Sequence, residues 1–416
     1  MKGQGKSYEK SKTQKKNDKK TTAKEDKMRD LGLDGILDGI KIDGKNPYQQ
    51  ANDDTWGEIN LWIPTGAIGL DYAIGGHTRG KRGGIPISRA LEISGTESTG
   101  KSALLDHIIR ETISAGGAFF LCDAEHAHLP TRMRLIGCDL TNFRFIEKPK
   151  MERVIGEEGT EKKKRGRSKI LGDDESLMVL EEFFEAAEST LIKFRQHMGE
   201  EVPIVIALDS LAAIETRAQA AVQEQNMKDK LDKSAIMSQQ FGGFCSLVTK
   251  NNGSVILINQ LRTKPSAFGD PHYSPGGATK DYHFSLRIRM GNAQLIKAVD
   301  DWGKDPKREY LSTDVTGILC HGKVVKNKVA EPFRTFRFPL FFDSRGIDDD
   351  LAFAMLLVDR EKWNYSEDFV KAGNSYSWKG TKLGVGERAL AESFKDDPAM
   401  RIEMEEELFI EGGEEE

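Results

Sequence analysis

Gly95-Thr96-Glu97-Ser98-Thr99-Gly100-Lys101-Ser102 lies between Arg89-Ala90-Leu91-Glu92-Ile93-Ser94 and the residues Leu104, Leu105, Ile108, Ile109 and Ile113. The first flank reads as a short strand; the spacing of the second is that of one apolar helix face. GxxxxGK[ST] between a strand and a helix is the P-loop pattern in the context that makes it specific. Gly95 and Gly100 let the backbone N–H groups of Thr96, Glu97, Ser98 and Thr99 turn inward around phosphates, and the helix N-terminus adds partial positive charge. Lys101 supplies a full positive charge and Ser102 a hydroxyl for Mg²⁺. ATP with Mg²⁺ is the expected ligand.

Outward from this loop, Gly116-Gly117 ends the helix, and Ala118-Phe119-Phe120-Leu121-Cys122 is apolar enough for a strand covered on both faces. Ile204 to Leu208 and Ser254 to Ile258 have the same character, with a helical pattern from Leu177 to Phe194 between them and the preceding strand. This alternation predicts an α/β fold with a mostly parallel sheet. Ligands of such sheets bind beyond the carboxyl ends of the strands, where Glu125, Asp209 and Gln260 stand. Asp209 is the expected second acid for Mg²⁺. Glu125 is expected to end the strand next to the P-loop strand, either as general base for a hydrolytic water or as a cap of the following turn.

The chain has 416 residues, 38% hydrophobic and 31% charged, with a net charge of -5. That average covers opposite ends: residues 1–27 hold ten lysines against four acids, and residues 403–416 hold eight glutamates and no base. Both ends are expected to be disordered. No run reaches the roughly 18 apolar residues of a membrane helix. The basic N-terminus lacks a signal-peptide core, and Cys122, Cys138, Cys245 and Cys320 show no metal-ligand spacing. A cytoplasmic protein with reduced thiols follows as the expectation. The segment 152–174, with Lys162-Lys163-Lys164-Arg165-Gly166-Arg167, reads as a charged surface insertion. The expected organisation is a basic arm and oligomerisation segment over 1–60 and an ATPase core over 61–345, then a small C-terminal α+β domain over 346–400 and an acidic tail over 401–416.

Cys122-Asp123-Ala124-Glu125-His126-Ala127 resembles the strand end of the bacterial RecA family, which runs into Asp-Ala-Glu-His-Ala. Asp209-Ser210-Leu211-Ala212-Ala213, Ile258-Asn259-Gln260-Leu261-Arg262 and Lys323-Val324-Val325-Lys326-Asn327-Lys328 resemble further family segments in the same order. The likeness extends through Ala372-Gly373 and Trp378-Lys379-Gly380. It implies a P-loop NTPase of RecA-like core that forms a helical homo-oligomeric filament on single-stranded DNA and exchanges strands with double-stranded DNA, ATP lying between protomers.

By that resemblance Glu125 is the catalytic glutamate, Gln260 the γ-phosphate sensor, and Lys326 and Lys328 reach into the next protomer's site, as an arginine finger does. Two loops, at about 215–232 and 262–280, would face DNA. Candidate contacts there are Met227, Arg262, Phe268, Gly276 and Gly277. The family's adenine-stacking tyrosine is matched by Arg132, whose guanidinium plane can also stack, and its adenine-contacting aspartate by Leu129. An arginine that binds DNA after the first loop is matched by Ala235, and the stretches 152–174 and 293–310 are atypical. These departures suit a diverged branch, such as phage-encoded RecA or UvsX-like recombinases, better than a housekeeping bacterial member; the expected setting is the cytoplasm of a bacterial or phage-infected cell, nucleoid-associated, with single-strand-binding and loader proteins as further partners. The alternatives are a hexameric helicase motor on the same core, or a DNA-binding scaffold that uses ATP as an assembly switch.

Overall fold

Along the strand Ile204-Val205-Ile206-Ala207-Leu208 the side chains sort alternately into two buried clusters. Val205 and Ala207 join one; Ile204, Ile206 and Leu208 join the other. Period-two alternation with both faces apolar is what a central parallel strand requires. The computed structural model describes residue 41, residue 59 and residues 61–76, 82–148, 178–221, 229–263, 272–301, 309–360 and 368–410, and everything below concerns these. Met227, Phe268, the basic arm, the insertion 152–174 and the end of the acidic tail lie outside them.

The elements are, in order, β1 (Trp62–Ile63), α1 (Ile68–Gly75), β2 (Ile85–Pro86), β3 (Ala90–Gly95), α2 (Lys101–Ser114), β4 (Ala118–Asp123), α3 (Pro130–Leu135) and β5 (Phe143–Phe145). Next come α4 (Leu180–His197), β6 (Ile204–Asp209), α5 (Arg217–Ala221), α6 (Asp229–Lys250), β7 (Gly253–Gln260), β8 (Arg262–Thr263), β9 (His272–Tyr273) and α7 (Thr279–His283). The chain continues through β10 (Leu286–Met290), β11 (Gln294–Lys297), β12 (Val315–Asn327), β13 (Thr335–Phe341) and α8 (Asp349–Arg360). It closes with β14 (Phe369–Ala372), β15 (Ser375–Trp378), β16 (Thr381–Val385), α9 (Gly386–Asp396) and α10 (Pro398–Ile410).

In the main sheet β10, β3, β7, β6, β4 and β5 lie side by side and parallel, and β12 pairs antiparallel with β10, β11 and β13. The expected α/β core is present. One expected adjacency is not: β4 is separated from the P-loop strand β3 by β7 and β6. The chain therefore crosses over two strands after α2, and Glu125 approaches the phosphate loop across the sheet's carboxyl edge.

Leu104, Leu105, Ile108 and Ile109 of α2 pack on one face, Phe183, Phe184, Phe241 and Phe244 of α4 and α6 on the other. Residues 59–416 form one compact unit. The C-terminal α+β segment joins the first cluster directly, through Phe353, Tyr376, Trp378, Leu390 and Phe394. The expectation of a disordered end from Glu403 onward is corrected for its first half. α10 buries Met404, Leu408 and Phe409, because its glutamates alternate with an apolar stripe at helical spacing.

Candidate nucleotide-binding site

β3 delivers Gly95 to the sheet edge in register with Gln260 of β7, and Leu261 N donates to Gly95 O at 3.1 Å. Beside them, β4 and β6 align Asp123 with Asp209. The carboxyl ends of four strands thus present the P-loop, Gln260, Asp209 and the turn holding Glu125 together.

Close approach explains the glycines. A Cβ on Gly95 would lie 2.8 Å from Thr99 Oγ1, and Gly100, at φ 88°, would push one to 2.8 Å from Cys320 Sγ. Lys101 Nζ donates to Thr96 O at 2.6 Å. Burial lowers the lysine's pKa, opposed by the charges of Asp209, Glu125 and Glu97.

Ser102 opens α2 and its Oγ donates to Asp209 Oδ2 at 2.7 Å. A hydroxyl and a carboxylate in contact at a helix N-terminus fit Mg²⁺, which takes few protein oxygens and fills its octahedron with phosphate and water. Asp209 is 1% exposed, and the Asp209–Ser210 peptide is cis. Ser210 Oγ donates to Glu125 Oε1, to which Gln260 Nε2 also donates at 3.0 Å. Asp123, accepting from Ala127 N at 3.1 Å and His128 N at 2.9 Å, fixes the turn that carries Glu125.

The sequence reading missed His128 and Asp106. His128 Nδ1 is 2.6 Å from Asp106 Oδ1, and its Nε2 is 3.0 Å from Asp209 Oδ2. Burial opposes its protonation, but hydrogen bonds to Asp106 and Asp209 prevail and push its pKa up to about 9. A signal existed: Asp106 is four residues after Ser102, hence on the same helix face, amid an apolar stripe. Arg132, expected at the adenine, directs Nε and Nη2 to Asp106 Oδ2 while its side chain stays 43% exposed. Leu129 is 55% exposed.

The match to the RecA N-terminal domain model covers residues 41–158 and 194–348. The chain belongs to the RecA family. Protein RecA of Bacteroides thetaiotaomicron is 30% identical over 372 residues, 88% of this chain and 92% of that protein. Protein RecA of Cytophaga hutchinsonii is 29% identical over 371 residues, 88% and 85% of the two chains. A crystal structure of the RadB recombinase covers 68% of this chain and 98% of its own, at 16% identity and a TM-score of 0.40.

In this RecA-type recombinase the structure describes both ends of the expected second loop. Arg262, exposed in β8, pairs with Tyr273 of β9, and Gly276 and Gly277 have φ of 102° and 80°. Gly277 packs on Ser234 of α6, a Cβ there meeting Ser234 Cβ at 3.1 Å. Lys280, placed at the loop's far end by sequence, is instead wholly buried, its Nζ 2.8 Å from Glu92 Oε1. Arg287 Nε meets the other Glu92 oxygen at 2.7 Å. The first loop's expected range is part helix, through α5 and the start of α6. Lys326 Nζ donates to Asp281 O at 2.6 Å, and Lys328 Nζ to Tyr282 O at 3.1 Å. Tyr282 itself is 76% exposed. Among the described residues no helix is long and apolar enough to cross a membrane.

Proposed function

We propose that this chain is a DNA-dependent ATPase that assembles as a helical filament on single-stranded DNA and carries out homologous pairing and strand exchange with double-stranded DNA. One observation supports this reading most directly: Gln260 contacts Glu125 and stands two residues before Arg262 at the base of the second loop. A change at the phosphate side of Gln260 is thereby passed to the loop through one strand end.

ATP would lie on the P-loop, its phosphates met by the loop N–H groups and by Lys101. Ser102 and Asp209 would hold Mg²⁺, which supplies charge neutralisation on the phosphates. Glu125, fixed by Ser210 and Gln260, would accept a proton from the attacking water. Lys326 and Lys328 would stabilise transferring charge in a neighbouring protomer. Arg262, Gly276 and Gly277 would meet DNA from the second loop, with Met227 of the first loop and Phe268 as further candidates. A cytoplasmic protein, nucleoid-associated and meeting single-strand-binding and loader proteins, accords with this activity.

The hexameric motor and the ATP-switched scaffold share the P-loop but not homology-dependent pairing. D-loop formation with homologous and heterologous duplex discriminates: joint molecules only with homologous duplex support the recombinase, and equal or no product sinks it.

A further inference from the structure

A line of buried polar groups runs from the metal-binding end of the nucleotide site to its outer edge. Ser102 Oγ and His128 Nε2 converge on the same Asp209 oxygen, at 2.7 Å and 3.0 Å. The ring's other nitrogen meets Asp106 at 2.6 Å, and Arg132 meets Asp106 through Nε at 3.0 Å. Asp106 and Asp209 are each 1% exposed and His128 is 4% exposed. The ring thus bridges two carboxylates, one at each nitrogen.

Stability does not account for this line. Apolar side chains of similar volume at positions 106 and 128 would fill the space without desolvating an ion pair, and such replacements are often neutral or stabilising. Of the neighbouring buried residues of α2, Leu104, Leu105, Ile108 and Ile109 are apolar, and His107 is turned away to accept from Ile347 N at 3.0 Å. What distinguishes position 106 is that its polar chain ends on Asp209. Groups that hydrogen-bond a metal's ligands orient them, and removing such groups typically costs ~10–100-fold in metal affinity or activity.

We propose that Asp106 and His128 form a positioning pair for Asp209, holding its carboxylate against Ser102 so that the two receive Mg²⁺ together with the nucleotide. Neither residue touches the phosphates in this role. Asp106 aims the ring, the ring aims Asp209, and Arg132 anchors Asp106 from the solvent side. The proposal rests on reading Ser102 and Asp209 as the Mg²⁺ site, and the test separates the two claims.

The informative variant is the double replacement Asp106→Leu with His128→Leu, which leaves no unpaired buried charge at either position. His128→Leu alone leaves Asp106 Oδ1 without its partner and serves as the folding control; His128→Gln keeps a donor toward Asp209. Each is measured by thermal melting without nucleotide, by Mg²⁺ titration of fluorescent mant-ATP binding, and by Mg²⁺ dependence of DNA-stimulated hydrolysis. The double variant should melt no lower than wild type and bind mant-ATP equally in EDTA, with its Mg²⁺ midpoint raised about 10-fold or more. Saturating Mg²⁺ should restore most of kcat, and His128→Gln should recover part of the midpoint. A double variant that melts normally with a wild-type Mg²⁺ midpoint overturns the proposal, as does a double variant that melts lower with its midpoint unchanged, the mark of a purely structural pair. If wild type itself binds mant-ATP without any response to Mg²⁺, the metal-site reading falls and the pair's role falls with it.

Discussion

Gln260 Nε2 lies 3.0 Å from Glu125 Oε1, so the last residue of β7 and the turn after β4 are joined although β6 lies between their strands. Two groups assigned to the same phosphate are thus in contact within one chain.

Glu125→Gln removes the proposed base and leaves the P-loop intact. ATP turnover on single-stranded DNA should fall by roughly 10² to 10⁴. Filament binding to DNA should persist or lengthen, measured by fluorescence anisotropy. Hydrolysis at the wild-type rate overturns the assignment. Lys101→Ala, in contrast, should lose ATP affinity and assembly together.

Arg132 commits its guanidinium edge to Asp106, and Leu129 offers no polar contact to a base. Other triphosphates should therefore compete with ATP to within about tenfold, a difference of roughly 1.4 kcal/mol. A competition titration of mant-ATP with GTP checks this; strict ATP preference contradicts it.

Lys326 and Lys328 hold the backbone of residues 281–282 from within their own chain. If they also act across a filament interface, protomers carrying Lys326→Ala and Lys328→Ala should regain part of their hydrolysis when mixed with Glu125→Gln protomers. Mixed filaments with no regained turnover place the lysines' action within one chain.

Lys233 donates to Leu211 O at 3.0 Å, and its pKa is lowered to about 8, by burial first and by Arg262 second, against Glu215. The folded state then releases this proton before the unfolded chain, whose lysine keeps it to about 10.4. Between pH 8 and about 10.4 the unfolded state binds more protons, so stability rises with pH, and it is lost again as pH falls through 8. The melting temperature of wild type should therefore gain on that of Lys233→Met as the pH is raised from 8 to 10. A constant gap refutes the burial of the charge.

The sequence revealed most of the sheet, because both-face-apolar runs and a P-loop between strand and helix leave few alternatives. Gly95 to Ser102, Asp209, Glu125 and Gln260 do converge. Strand order was not legible: nothing local to Ala118–Asp123 tells that β6 and β7 intervene before β3. His128 and Asp106 were missed because each is unremarkable alone and acquires its meaning from a contact spanning 22 residues. The burial of Lys280, at the end of the expected second loop, was not legible because its partner Glu92 lies 188 residues away, inside a strand. The acidic end read as a tail because its charge count masked the stripe of Met404, Leu408 and Phe409.

That stripe changes how tail deletions are read. Truncation after Ala399 strips the three buried side chains, each contributing roughly 1.5–3 kcal/mol. The loss approaches the whole stability of a typical domain, roughly 5–15 kcal/mol. Truncation after Ile410 spares them and removes residues 411–416, four of them glutamates. It should raise duplex binding at low salt while leaving the melting temperature unchanged, and the gain should fade as ions screen both contacts. Unchanged duplex affinity across salt concentrations leaves the tail with a role in solubility only.

Arg82 meets Asp71 at 2.8 Å, Asp349 at 3.3 Å and Glu405 at 3.3 Å, and Arg401 meets Asp349 at 2.7 Å. One cation near the start of the folded unit is therefore completed by a residue 323 positions later. On a ribosome, α1 and Arg82 emerge long before α10 exists, and Tyr72 waits for Phe409, whose ring centroid settles 5.9 Å away. β3, made first in the main sheet, has no sheet neighbour until β7 follows, and the Arg82–Glu405 pair and the Tyr72–Phe409 contact form only once α10 has been made.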